Sequence, residues 1–380
     1  MQRIMRLMAD KKASDVYLSA HSPVLIKING LALPINNQML PVNAPLQLLA
    51  EVLPSHRIDE LKQTGELNMA LSVEGVGNFR ISGLRQRGSY AAVIRYIPSE
   101  VPALENLNVP PILAELIMEK RGLLLMAGEA GAGKSTTLAA MIDHRNASVM
   151  GHILTIEDPV EYSFLNKKSV INQRELGIDT LSMQVALKNA LHQAPDVIFM
   201  GEIHNHESMS AAITLAQTGH LCVATLQASN SAQALNRMLG FYPVQMRDSL
   251  NIDLASCLKA IVSQRLVRTQ NGLSTPVVEV MLNTPLISEL IGKGNFSGIP
   301  EAMQQSTSQG SQTFEQDIAK LITNGLITRK EGLANADSAN NLMWRIENNV
   351  HAEVKAPEVI DDDLDDKPSF TEIILDVKHS

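Results

Sequence analysis

Residues 128–135 read Gly-Glu-Ala-Gly-Ala-Gly-Lys-Ser, after an aliphatic run, Leu123–Ala127, and before a helical one, Thr136–His144. No other stretch restricts the fold as much. Glycines let a backbone wrap tightly, so its N–H groups converge near a helix N-terminus, where anions bind. The pattern G-x-x-x-x-G-K-[ST] between strand and helix is a phosphate-binding P-loop. The expected nucleotide-binding residues are therefore Gly128, Glu129, Ala130, Gly131, Ala132, Gly133, Lys134, Ser135 and Thr136. Lys134 supplies a fixed positive charge to terminal phosphates, and Ser135 offers a hydroxyl to Mg²⁺. The ligand expected is ATP with Mg²⁺, and the domain a P-loop NTPase of the α/β class.

Three more short aliphatic runs follow, Ile153–Ile156, Val197–Met200 and Leu221–Ala224. Near-continuous apolar strands are what a parallel sheet covered on both faces requires. Each run meets polar residues at its carboxyl end (Glu-Asp-Pro-Val-Glu, Gly-Glu, Thr-Leu-Gln-Ala-Ser), the end at which open α/β sheets bind ligands. After Pro243 the reading is mostly helical, over 246–266, 286–293, 313–324 and 329–335, interrupted by a strand at Pro276–Met281. Before the P-loop the pattern differs. Short extended runs at 16–19, 24–28, 67–73, 78–84 and 90–97, a helix over 2–9 leading to Ala13-Ser14-Asp15, and a helical stretch over 45–63 make residues 1–97 a smaller α+β module. Asn29-Gly30 is a hairpin signal. Four prolines mark 98–111 as a linker, 112–345 as the ATPase domain and 346–380 as an acidic tail read as unstructured.

The chain has 380 residues and a formal net charge of −8, of which the segment 351–380 carries −6 through nine acidic residues against three lysines. The near-neutral remainder argues against a generic nucleic-acid binder, which needs excess Lys and Arg to neutralise phosphates. Two cysteines, Cys222 and Cys257, both in apolar runs, cannot build a disulfide framework or a four-thiolate zinc site, and read as buried thiols in a reducing cytoplasm. No uncharged apolar run reaches the roughly 18–20 residues of a membrane span.

Glu202, at the end of Asp196-Val-Ile-Phe-Met-Gly-Glu, is placed to orient Mg²⁺ and its waters. Glu157, Asp158 and Glu161 crowd another strand end, where a carboxylate polarises attacking water; Glu157 and Glu161 both remain candidates for the base. At the last strand, His220, Thr225 and Gln227 are offered as γ-phosphate sensors.

Taken together, these motifs resemble the secretion-ATPase superfamily, and within it the PilT/PilU family of type IV pilus retraction ATPases. The match spans about residues 1–345 and includes the P-loop, the IEDPVEY acidic box, NQRELG at 172–177, ALKNALHQAPD at 186–196, the Walker B Gly-Glu, the TGHL of the His box, GFYP, SQRLV, LNTPL and ADSANNL. LNTPL and ADSANNL are closer in wording to the PilU branch. The resemblance implies a PAS-like N-terminal domain before a RecA-like ATPase domain, assembled as a homo-hexamer with nucleotide at subunit interfaces. It implies Glu161 as water-activating base, Glu202 as Walker B carboxylate, His220 as the His-box residue, and Arg80 and Arg95 as arginines approaching the nucleotide. Its implied partners are a PilT-like paralogue and an inner-membrane pilus platform protein, with the chain cytoplasmic and peripheral at that membrane.

Three positions depart from the family pattern. Gln227 stands where T-L-H-A has histidine, His204 where G-E-[IM]-R has arginine, and Leu286–Ile291 lacks the arginine of A-I-R-N-L-I. Gln donates a hydrogen bond but carries no charge, and His is a conditional cation. The expected function is a hexameric motor subunit that powers or assists pilus retraction; the alternative is a nucleotide-binding adaptor with weak hydrolysis that bridges the paralogue and the machine.

Overall fold

The structure is a computed structural model that describes residues 1–353 apart from Asn29, Pro98, Ser99 and Thr307. The amino-terminal part comprises α1 (Gln2–Asp10), β1 (Asp15–Ser19), β2 (Leu25–Ile28), β3 (Leu31–Pro34), α2 (Ala44–Ala50), α3 (Ser55–Thr64), β4 (Glu66–Val73), β5 (Gly77–Gln86) and β6 (Ser89–Ile97). The six strands form an antiparallel sheet in the order β3-β2-β1-β6-β5-β4. Alternation assigns the faces. Val16, Leu18, Phe79, Ile81 and Ile94 pack with Met5, Met8, Leu49 and Leu61 of the three helices. Arg80 and Arg95, one residue out of phase with that set, fall on the opposite face and are register partners. The helical stretch expected over 45–63 is two helices, because Pro54, extended at φ −61° and ψ 150°, stops the first and starts the second. This is the PAS-like α+β module.

The second part comprises α4 (Ile112–Leu116), β7 (Gly122–Ala127), α5 (Lys134–Ser148), β8 (Gly151–Glu157), β9 (Ser169–Glu175), α6 (Met183–Ala190), β10 (Val197–Glu202), α7 (His206–Gln217), β11 (Leu221–Leu226), α8 (Ser231–Gly240), α9 (Arg247–Cys257), β12 (Leu258–Arg268), β13 (Ser274–Leu282), α10 (Pro285–Gly292), α11 (Ile299–Gln304), α12 (Phe314–Thr323), α13 (Arg329–Asn335) and α14 (Ala339–Glu353). Its sheet runs β13-β12-β7-β11-β10-β8-β9, parallel except for β13. Helices cover both faces through two aliphatic clusters. The fold is RecA-like. All four anticipated strands lie side by side as β7-β11-β10-β8, so their carboxyl ends share one edge.

The structure differs from the sequence expectation at two places. Residues 246–266 were expected to be helical, but the helix ends at Cys257 and Leu258–Arg268 is strand β12. Ala260, Ile261 and Val262 are buried between β7 and β13, and a fully buried strand has no period-2 signature to separate it from a buried helix. Helix α14 also continues to Glu353, beyond the expected boundary at 345; the rest of the acidic tail, 354–380, lies outside the described residues. Arg265 of β12 fastens the helical end to the sheet, donating to the carbonyls of Asn335 (2.6 Å) and Ser229 (2.9 Å), pairing with Asp337 and stacking over Phe314. Among the described residues no helix is long and apolar enough to cross a membrane.

Candidate active site

The P-loop is the turn from β7 into α5, and its shape follows from its glycines and one glutamine. Gly131 and Gly133 sit at φ 81° and 83°, where a side chain is strained. Gln264 of β12 clamps the turn: its Nε2 donates to the Ala132 carbonyl at 2.8 Å and its Oε1 accepts from Thr137 Oγ1 at 2.8 Å. A Cβ on Gly133 would lie 2.8 Å from that amide nitrogen. Lys134 Nζ donates to the carbonyls of Gly128 (2.7 Å) and Glu129 (2.8 Å), so the ammonium is held over the loop. Burial lowers its pKa, opposed by the charges of Glu202, Glu161 and Glu129. Thr136 Oγ1 is 2.8 Å from the Tyr162 hydroxyl, linking the first turn of α5 to the acidic box.

A cleft of about 360 Å³ opens in front of the loop. Lys134 and Ser135 form its floor, and Glu157, Glu161, Glu202, Thr225 and Gln227 reach it from the carboxyl ends of the neighbouring strands and the segments after them. Arg80 and Arg95 face it from the amino-terminal sheet, so the cleft is walled by both parts of the chain. Asn78 Nδ2 donates to Ser163 Oγ at 3.1 Å across the same junction.

The two candidate bases have different surroundings. Glu157 is buried at the end of β8, with Oε1 accepting from Thr155 Oγ1 at 2.6 Å and from Gln173 Nε2 at 3.4 Å; burial pushes its pKa up to about 7. Glu161 stands on the following loop, partly open to the cleft. Strand β9 shapes that loop. Gln173 Nε2 donates to the Tyr162 carbonyl (2.7 Å), Gln173 Oε1 accepts from Phe164 N–H (2.9 Å), and Glu175 Oε2 accepts from Val160 N–H (3.1 Å). Burial raises the Glu175 pKa, opposed by the N–H groups of Val160 and Ala70. At the end of β10, Glu202 Oε1 is buried without a hydrogen-bond partner among the described residues, and the exposed His204 ring has Nδ1 3.7 Å from it. A carboxylate oxygen with no protein donor suits a hydrated cation, whereas no cluster of three or more His, Cys, Asp or Glu among the described residues forms a protein cage.

A profile of the family described as Type II/IV secretion system protein matches residues 1–282. The chain is 43% identical over 346 residues to the type IV pilus ATPase PilU of Pseudomonas aeruginosa, covering 91% of this chain and 91% of that protein. The chain belongs to the PilT/PilU family of secretion ATPases. It is 34% identical over 333 residues to the pilus retraction ATPase PilT of the same organism, covering 88% of this chain and 97% of that one. The crystal structure of the pilus retraction motor PilT with bound ADP matches with a TM-score of 0.83 at 34% identity, covering 90% of this chain and 99% of that chain. As a member of this family the chain is a P-loop ATPase.

One expected site residue is not brought to the cleft. His220 precedes β11, whose parallel register pairs Leu221 with Gly122 and Leu226 with Ala127, so His220 lies at the end of the sheet opposite the P-loop. Its Nδ1 is 3.3 Å from the Leu215 carbonyl and from Thr218 Oγ1, a local turn around the end of α7. The His-box motif groups it with Thr225 and Gln227, but four strand residues separate it from Thr225 and all six of β11 from Gln227, at ~3.3 Å each. Conversely, Gln173, Glu175 and Gln264 organise the cleft, although no chemical motif in the sequence singles them out. Their signal was position: each lies on a strand adjoining a motif strand.

Two outcomes follow from this geometry. Gly133→Ala should raise the dissociation constant for ADP about tenfold or more, since a left-handed backbone costs ~1–2 kcal/mol with a side chain and Gln264 must also move; calorimetric titration checks it. Glu157 holds its proton more tightly folded than unfolded, so its contribution to stability falls as pH rises from 4.5 through about 7. Relative to the wild type, Glu157→Gln should gain thermal stability between pH 5 and pH 8, by up to about 3 kcal/mol. Melting curves that shift in parallel would contradict this.

Proposed function

We propose that this chain is an ATP-hydrolysing motor subunit that powers or assists type IV pilus retraction, acting with a PilT-like paralogue. The observation that carries this reading is the shared cleft, with the P-loop lysine of one module and two arginines of the other facing the same space. A site walled by two modules links phosphate chemistry to their relative movement about the 98–111 linker.

In this reading the P-loop N–H groups and Lys134 hold the phosphates. Ser135 and Glu202 would hold Mg²⁺, which would supply positive charge to offset that of the phosphates. Glu161 takes the proton of the attacking water. Its openness to the cleft favours it over Glu157, whose Oε1 already accepts from Thr155 and Gln173 and which serves to fix the loop. Arg80 and Arg95 offset negative charge on the transferring phosphoryl group. Gln227, exposed at the end of β11, donates to it. Membership of the family supports a homo-hexamer and docking on an inner-membrane platform protein from the cytoplasmic side.

Gln227 and His204 support a second reading, a nucleotide-binding adaptor with weak hydrolysis, because neither supplies the permanent charge or proton exchange of the family pattern. Phosphate release by the purified protein, alone and with the paralogue, separates the two. The motor reading expects turnover that Lys134→Ala abolishes, by about 100-fold or more. Turnover unaffected by that substitution would overturn it, and a chain that binds ATP without Lys134-dependent release would be the adaptor.

A further inference from the structure

Ala13-Ser14-Asp15 opens β1, and Asp15 is a carboxylate with only 3% exposure on the cleft side of the amino-terminal sheet. A buried carboxylate needs a partner. The register supplies two: Asp15 stands opposite Lys27 on β2 and Arg95 on β6, and Arg95 opposite Arg80 on β5. Asp15 Oδ1 accepts from Arg95 Nε at 3.0 Å, and Oδ2 lies 3.9 Å from Lys27 Nζ. The pairing is lopsided, with the Asp15 side chain 5% exposed and that of Arg95 62% exposed and lining the cleft. By binding Nε, the carboxylate leaves the four terminal N–H groups of the guanidinium outside the contact.

Two arginines directly opposite each other repel, and an untethered arginine samples many rotamers. Asp15 counters both effects. We propose that Asp15 is a positioning residue for ATP turnover, fixing the Arg95 guanidinium so that its terminal N–H groups face the phosphoryl group in the cleft. This rests on the reading of Arg95 given above. A pair made only to hold the sheet would gain nothing from leaving one partner's charged fork in the cleft.

The test is a double-mutant cycle between Asp15→Ala and Arg95→Ala in the full chain. It reads the affinity for Mg·ADP plus aluminium fluoride relative to Mg·ADP alone, together with kcat and KM. Asp15→Ala should lower that affinity ratio about 10- to 100-fold while Mg·ADP binding stays within about twofold, and kcat should fall with KM little changed. In the Arg95→Ala background it should add nothing. An equal loss in both backgrounds, or no loss in either, overturns the proposal. If Arg95→Ala leaves the ratio intact, the role of Arg95 itself falls and this inference with it. Should Asp15→Ala fail to fold, Asp15→Asn keeps an acceptor for Nε and loses the charge; a coupling to Arg95→Ala of about 3-fold or more is expected, and additivity contradicts the proposal.

Discussion

The carboxyl end of β7 is the constraint on which the rest depends. A parallel strand between β11 and β12 must stop where the chain turns into α5, and that turn has to expose its N–H groups without a bulky side chain in the way. Glycines meet the local requirement, and Gln264 meets the tertiary one by bonding the turn to β12 through Ala132 and Thr137. Because β8, β10 and β11 run parallel to β7, Glu157, Glu202 and Gln227 arrive at the same edge as consequences of one register. His220 follows the same rule in reverse: preceding its strand, it is carried to the far edge.

Charge then decides what the cleft can do. Lys134, Arg80 and Arg95 face Glu157, Asp158, Glu161 and Glu202 in a space of about 360 Å³, so the two signs are nearly matched. Burial disfavours charge on both Lys134 and Glu157, and each is instead tied down by hydrogen bonds, to loop carbonyls and to Thr155 and Gln173. The residues left with free capacity are Glu161, the bare oxygen of Glu202, the half-buried Arg80 and the exposed fork of Arg95. These are the groups that a phosphoryl transfer site leaves open for water, metal and phosphate.

Much of this was legible from residue order. The P-loop and the four aliphatic runs placed the sheet, its ligand edge and the acidic residues Glu157, Asp158, Glu161 and Glu202 there, since apolar continuity and glycine spacing are local signals. Strands β9 and β12 were not legible. Ser-Val-Ile-Asn-Gln-Arg-Glu is mostly polar because Gln173 and Glu175 serve the acidic loop, and the run through Ala260–Val262 is buried as fully as a core helix. Asp15 and Gln264 act across 80 and about 130 residues of sequence, distances over which no pattern in one chain reports a contact.

The amino-terminal arginines and the P-loop lysine, on this reading, serve one nucleotide. A structure of the chain with Mg²⁺ and a non-hydrolysable ATP analogue tests this most directly. Terminal phosphate oxygens should lie within hydrogen-bonding distance of Lys134 and of Arg80 or Arg95, with Glu161 nearer than Glu157 to the attacking side. A nucleotide bound by the P-loop while both arginines remain turned away from its phosphates would contradict it.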